Sequence, residues 1–121
     1  MRIVIADDQP EVRRLLTRAL SAFPDSVEIV GEAADGREVL KVVTDTEPDV
    51  VIMDLQMPHI DGVTATKAIL VERPSTLIVG FTSADADGVE ALIQAGAVAV
   101  ISKAKVPDLV STIQALGQKK K

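Results

Sequence analysis

Five short runs rich in Val and Ile alternate with five stretches whose apolar residues recur at helical spacing. That alternation leaves few folds open to the chain. The runs cover residues 2–6, 27–33, 49–54, 76–81 and 98–102. Their near-continuous apolar character predicts strands buried on both faces, as in a parallel sheet covered by helices. Between them, Val12, Leu15, Leu16, Ala19 and Leu20 form one helical stripe, with Pro10 suited to its first turn. Asp35 followed by Glu38 reads as a capping box ahead of Val39, Leu40, Val42 and Val43. A third helix starts near Asp61-Gly62 and carries Ala65, Ala68 and Ile69. A fourth runs from about Ala84 through Val89, Leu92 and Ile93 to a stop at Gly96. A fifth follows Pro107, with Leu109, Val110, Ile113 and Leu116 on one face. Five tandem βα units predict an α/β fold, a doubly wound (βα)5 sandwich around a five-stranded parallel sheet.

A chain of 121 residues suffices for one domain with one core. Phe23 and Phe81 are the only aromatic residues, so the core must be aliphatic. The same scarcity leaves no stacking platform for single-stranded nucleic acid. A net charge of −5 counts against binding a phosphate backbone. The absence of cysteine excludes disulfides, thiolate metal sites and a Cys nucleophile. No segment approaches the roughly 18 apolar residues of a membrane span, and a strand at residue 2 leaves no signal peptide ahead of it. The sequence is therefore read as cytoplasmic, with neither a membrane nor a nucleic acid as direct partner. Lys119-Lys120-Lys121 reads as a basic tail, residues 119–121, after a domain of residues 1–118.

Acids stand where strands end. Asp7 and Asp8 close the first run, and Asp54 closes the third. Ligands of open α/β sheets bind outside the carboxyl ends of the strands, where the strand order reverses. Carboxylates gathered there repel one another, so a cation must hold them together. Lys103, at the end of the last run, is one; a divalent metal is the other. Hard oxygen ligands suit Mg²⁺ rather than Zn²⁺. Thr82, with Ser83 behind it, ends the fourth run. A hydroxyl and an ammonium aimed at one point suit a phosphoryl group, and a carboxylate can act as nucleophile towards a phosphoryl donor. Blander roles compete: Asp7 or Asp8 near the first helix's N-cap, and Thr82 or Ser83 capping the fourth helix while Thr82 also serves the site. The longest loop, residues 55–62, follows Asp54 and is shaped by Met57-Pro58 and Asp61-Gly62. His59 within it reads as an exposed loop residue. Gly80 reads as a point where a helix packs closely over the backbone. Alternation of Val98 and Val100 with Ala99 and Ile101 predicts an apolar patch beside the fourth and fifth helices.

Asp7-Asp8, "VVIMDLQMPHIDG" around Asp54, "VGFTSA" around Thr82 and "AVAVISK" up to Lys103 together resemble the receiver domain of two-component response regulators. The similarity is collinear from Arg2 to about Leu116, and the "SKAKVPDLVSTI" ending is most similar to the NarL/FixJ-type group. The resemblance implies a flavodoxin-like sheet in the order 2-1-3-4-5. It implies that Asp54 accepts a phosphoryl group, that Asp8 ligates Mg²⁺ directly and Asp7 mainly through water, and that the backbone carbonyl of Gln56 completes the protein's share of the metal shell. Thr82 and Lys103 would bind the phosphoryl oxygens. The donor would be a sensor histidine kinase or a small phosphodonor such as acetyl phosphate. The switched surface would be the fourth helix, fifth strand and fifth helix, which also offer a homodimer contact. Receivers of this group usually precede a helix-turn-helix output domain, which leaves a stand-alone or an excised receiver open.

Two positions depart from the family pattern. Val100 stands where a switching Tyr or Phe is usual, and Ala104 where Pro follows the Lys. A trans bond is expected at Ala104. The Val100 change keeps alive an alternative: a receiver-like interaction module that works without phosphate. An aspartyl-phosphate phosphatase fits less well, because Gln56 occupies the place of its second Asp and no cap domain is present. The expectation is a signalling switch with self-catalysed phosphotransfer and autodephosphorylation, not an enzyme acting on an external substrate.

Overall fold

In the computed structural model, which describes residues 1–119, strands and helices alternate strictly. They are β1 (Arg2–Ala6), α1 (Pro10–Leu20), β2 (Glu28–Ala33), α2 (Gly36–Thr46), β3 (Val50–Met53), α3 (Gly62–Glu72), β4 (Leu77–Thr82), α4 (Ala86–Ala95), β5 (Ala99–Ser102) and α5 (Val106–Lys119). The strands form one parallel sheet in the order β2-β1-β3-β4-β5. The expected architecture and strand order both hold. Of the expected basic tail, Lys119 lies in α5, while Lys120 and Lys121 fall outside the described residues.

The period of two along each strand divides the core. Ile3, Ile5, Val50, Ile52, Val79 and Phe81 face Leu16 and Leu20 of α1 and Leu109 and Ile113 of α5. Val4, Ala6, Val51, Met53 and Ile78 face Val39 and Val43 of α2, Ala65 and Ile69 of α3, and Leu92 of α4. Right-handed crossovers produce this division. The step from β1 to β2 runs one way across the sheet, and every later step runs the other way. The reversal at β1 and β3 opens the crevice in which the acids lie.

Local chemistry sets the helix ends. Asp35 accepts from the Glu38 amide at 2.8 Å, and Glu38 accepts from the Ala34 amide at 3.3 Å, so the capping box forms with its return bond one residue early. Asp61 caps α3 through the Thr64 amide at 2.8 Å. The α4 cap corrects the sequence reading. Asp85, not Thr82 or Ser83, accepts from the Gly88 amide at 3.0 Å, and the helix starts at Ala86. The chain leaves β4 for three residues before turning, which moves the cap out of the hydroxyls' reach. In α1 the cap position falls on Gln9, which makes no side-chain cap bond, so neither Asp7 nor Asp8 caps that helix. Leu15 was expected on the buried stripe but is 49% exposed, since Leu16 and Leu20 fill the seam.

Two glycines fit the sheet to its surroundings. A Cβ on Gly80 would lie 3.1 Å from Leu92 Cδ1 and 3.1 Å from Val100 Cγ2, so the missing side chain admits α4 from above and the branched Val100 from β5. A Cβ on Gly62 would collide with the Asp54 carbonyl oxygen. Gly62 therefore lets α3 begin directly against the end of β3, and its amide closes the loop on the Leu55 carbonyl at 2.8 Å.

Candidate functional site

The ends of β1, β3 and β5 deliver their polar residues to one crevice. The Asp54 amide bonds to the Ala6 carbonyl at 2.9 Å, which carries the β1–β3 ladder one step past the strand ends. Asp7 is anchored on the other side, where its amide donates to the Ala33 carbonyl of β2 at 3.0 Å. Carboxylate oxygens of Asp7, Asp8 and Asp54 consequently lie within 4.8 Å of one another. Asp7 and Asp54 are buried, 2% and 4% exposed, whereas Asp8 reaches solvent.

Lys103 closes the group. Its amide continues the β4–β5 ladder to the Thr82 carbonyl at 3.1 Å, which fixes where the side chain departs. Its ammonium lies 2.8 Å from Asp7 Oδ2, 3.1 Å from Asp54 Oδ2 and 3.4 Å from Gln9 Oε1. An ammonium has three protons, and three acceptors surround this one. Burial opposes the charge on Lys103, but the bonds to Asp7 and Asp54 outweigh it and hold the pKa above 10.5. For Asp7 the balance runs the other way. Burial, reinforced by the Asp54 charge, raises its carboxyl above 3.8 despite hydrogen bonds from Lys103 and the Gln9 amide. The three carboxylates of the pocket thus outnumber the one lysine among them.

Of the remaining expected residues, Thr82 stands at the same sheet edge, and Gln56 and Val100 lie apart from the ion cluster. Thr82 is buried at the end of β4 beside Ser102, and its hydroxyl accepts from the Ala84 amide at 3.3 Å. Gln56 is exposed in the loop two residues past Asp54. Val100 is half-buried and packs against the core between the sheet and α4. Val98, by contrast, is 51% exposed, and Ile93 of α4 is also exposed; with Val100 turned to the core, the two valines do not share one outward face. His59 is exposed and holds a left-handed backbone, φ 69°, with no place in the pocket. The peptide bond at Ala104 is trans.

Sequence reasoning missed Gln9 and Arg13. Gln9 follows the acidic pair directly, and its amide oxygen meets Lys103. Arg13 donates from Nη1 to the Asp7 carbonyl at 2.6 Å and from Nε to Glu32 Oε1 at 3.1 Å. A signal was present for Arg13, which shares a helical stripe with Leu16 and Leu20 at i, i+3 and i+7. A guanidinium on a core-facing stripe calls for a fixed partner.

The chemistry and the topology agree with comparisons to known proteins. The sequence family described as response regulator receiver domain matches residues 3–114. The chain is 46% identical over 119 residues to the uncharacterized transcriptional regulatory protein YhcZ of Bacillus subtilis, covering 97% of this chain and 55% of YhcZ. It is 35% identical over 131 residues to a protein-glutamate methylesterase/protein-glutamine glutaminase of Anaeromyxobacter dehalogenans, covering 98% of this chain and 38% of that protein. The chain thus spans about half or less of the length of these relatives. Among solved structures, the signal receiver domain of the response regulator NarL from Mycobacterium tuberculosis superposes with a TM-score of 0.88 at 30% identity, over 97% of this chain and 95% of that one. Strand order, acidic crevice, lysine and family match converge, and the chain belongs to the response regulator receiver domain family of two-component systems.

Proposed function

We propose that Asp54 is the phospho-acceptor of this receiver domain and that Asp7, Asp8 and Asp54, with the carbonyl of Gln56, hold Mg²⁺. The observation that carries the reading is the ion cluster itself, in which Lys103 bridges Asp7 and Asp54 while Asp8 lies alongside. The donor set is all oxygen, which fits a hard divalent ion. Bound there, Mg²⁺ would offset charge on the transferring phosphoryl oxygens. An Asp54 carboxylate oxygen attacks phosphorus and forms the new O–P bond. The bond to the leaving group breaks: P–N of a kinase phosphohistidine, or P–O of acetyl phosphate. Lys103 then exchanges a carboxylate partner for a phosphoryl oxygen, and Thr82 turns its hydroxyl from Ala84 towards the same group. The added charge, about −1.5 to −2 at pH 7, biases the junction of Thr82, α4 and β5.

Residues 1–118 act in this reading as one signalling switch rather than as an enzyme turning over an external substrate. The protein works in the cytoplasm, and its partners are a sensor histidine kinase and an output domain or protein. The exposed apolar side chains of Val98 and Ile93 support a contact surface around α4, β5 and α5, for an output partner or a second copy. With Val100 opposite Gly80 and packed on the core, a signal in this chain runs through Thr82 rather than through a ring.

The test is intact-protein mass after incubation with acetyl phosphate. One phosphoryl adduct is expected with Mg²⁺ and none with EDTA. Equal labelling in EDTA would remove the metal from the account. No adduct from either acetyl phosphate or a sensor kinase would leave a module that works without phosphate.

A further inference from the structure

We infer that Arg13 is a positioning residue for the acidic pair: through one guanidinium fork it locks the peptide that joins Asp7 to Asp8, and so sets the affinity of the pocket for Mg²⁺. The inference rests on the metal reading above. The carbonyl that receives Arg13 Nη1 at 2.6 Å is the carbonyl of that linking peptide. A peptide unit is planar. Holding its oxygen constrains ψ of Asp7 and φ of Asp8 together, and with them the points from which both carboxylate side chains depart.

The anchor of the fork is β2. Arg13 Nε meets Glu32 Oε1 at 3.1 Å, and the next residue, Ala33, accepts the Asp7 amide at 3.0 Å. The Asp7 backbone is therefore held at both its N–H and its C=O by one edge strand, directly in the first case and through Arg13 in the second. The Arg13 side chain is 18% exposed. Two bonds in fixed relative directions require a fork, which an ammonium cannot reproduce. Loss of a partner that orients a metal ligand typically weakens metal binding by about tenfold or more.

The sign of the effect separates this role from simple electrostatics. Arg13 is a cation near a cation site. Removing its charge should tighten Mg²⁺ binding if Coulomb interactions alone act. Loss of the lock should weaken it.

The experiment is calorimetric titration of the whole chain with MgCl₂, comparing Arg13→Met and Arg13→Lys with the unsubstituted protein. Thermal midpoints are read in parallel, in EDTA and at saturating Mg²⁺. Binding weaker by about tenfold in Arg13→Met is expected, with Arg13→Lys in between. The Mg²⁺-induced rise in midpoint should shrink in the same order. Mg²⁺ affinity in folded Arg13→Met within twofold of the unsubstituted protein, or tighter, would overturn the inference. If Arg13→Met does not fold, unchanged affinity in Arg13→Lys does the same. Failure of the unsubstituted protein to bind Mg²⁺ would overturn the metal reading itself, and this inference with it.

Discussion

Replacing Lys103 with Met should destabilise the metal-free domain, and Mg²⁺ should return what is lost. The ammonium lies 2.8 Å from Asp7 and 3.1 Å from Asp54, inside a cluster that also holds Asp8. At an effective dielectric of about 20, those separations correspond to attractions of about 6 and about 5 kcal/mol. Desolvation and the partial exposure of Lys103, 19% for its side chain, cancel most of that sum. Removing one partner from such a group leaves the others uncompensated, at a cost of about 3 kcal/mol. For a domain of this length that lowers the thermal midpoint by roughly 10 °C. The sign with pH follows from the shifts. The Lys103 pKa is raised above 10.5, so its stabilisation is complete below about 10.5 and is lost as pH rises through the higher folded value. Between pH 6 and 9 the gap between the two proteins should stay level. It should narrow on acidification, as Asp7, whose carboxyl is raised above 3.8 by burial, loses the charge that needs balancing. Denaturant unfolding in EDTA measures the gap, and repetition at saturating Mg²⁺ should show a larger gain for Lys103→Met. Equal stability of the two proteins in EDTA, or equal gains from Mg²⁺, would refute the reasoning.

Other consequences are independent of that result. The Asp7 carboxyl, raised above 3.8 by burial, contributes stability that is present below about 3.8 and lost as pH rises through its folded value. In EDTA, Asp7→Asn should therefore gain on the unsubstituted protein as pH rises from that point, and a gap between their midpoints that does not change with pH would contradict this. Thr66 is fully buried in α3, and its hydroxyl has no hydrogen-bond partner among the described residues. Thr66→Val should raise stability by about 1 kcal/mol with Mg²⁺ affinity unchanged, as read by denaturant midpoints and calorimetry. Asp85→Ala should lower stability by about 1 kcal/mol through loss of the α4 cap, whereas Ser83→Ala should leave the denaturant midpoint in place; the reverse order would return the cap to the hydroxyls.

What the sequence made legible is what period and chemistry encode together. The strands show as apolar runs, and each run's limits fall within one residue of its strand, even for the edge strands β2 and β5, which are only partly buried. Asp7, Asp8, Asp54 and Lys103 could be brought together from sequence because all four follow strand ends, and a parallel sheet puts its strand ends along one edge. The α4 cap was not legible. Thr82, Ser83 and Asp85 all have capping chemistry, and the choice depends on how far the chain travels before it turns. Leu15 was misplaced because helical spacing defines a stripe wider than the seam that α1 uses against the sheet. The Arg13 lock was missed because its acceptor is a backbone carbonyl, which every residue carries and no motif marks. Val100 could be recognised as a departure, but its fit against Gly80 depends on the β4–β5 register.

The most direct test of the account is to find where the phosphoryl group goes. A carbonyl bearing phosphate is open to reduction by borohydride, which a free carboxylate resists, so a phosphorylated aspartate becomes homoserine. After treatment with acetyl phosphate and Mg²⁺, reduction and peptide mapping, the account predicts homoserine at position 54 and unchanged Asp7 and Asp8. Reduction at another residue, or the same extent of labelling in Asp54→Asn, would contradict it.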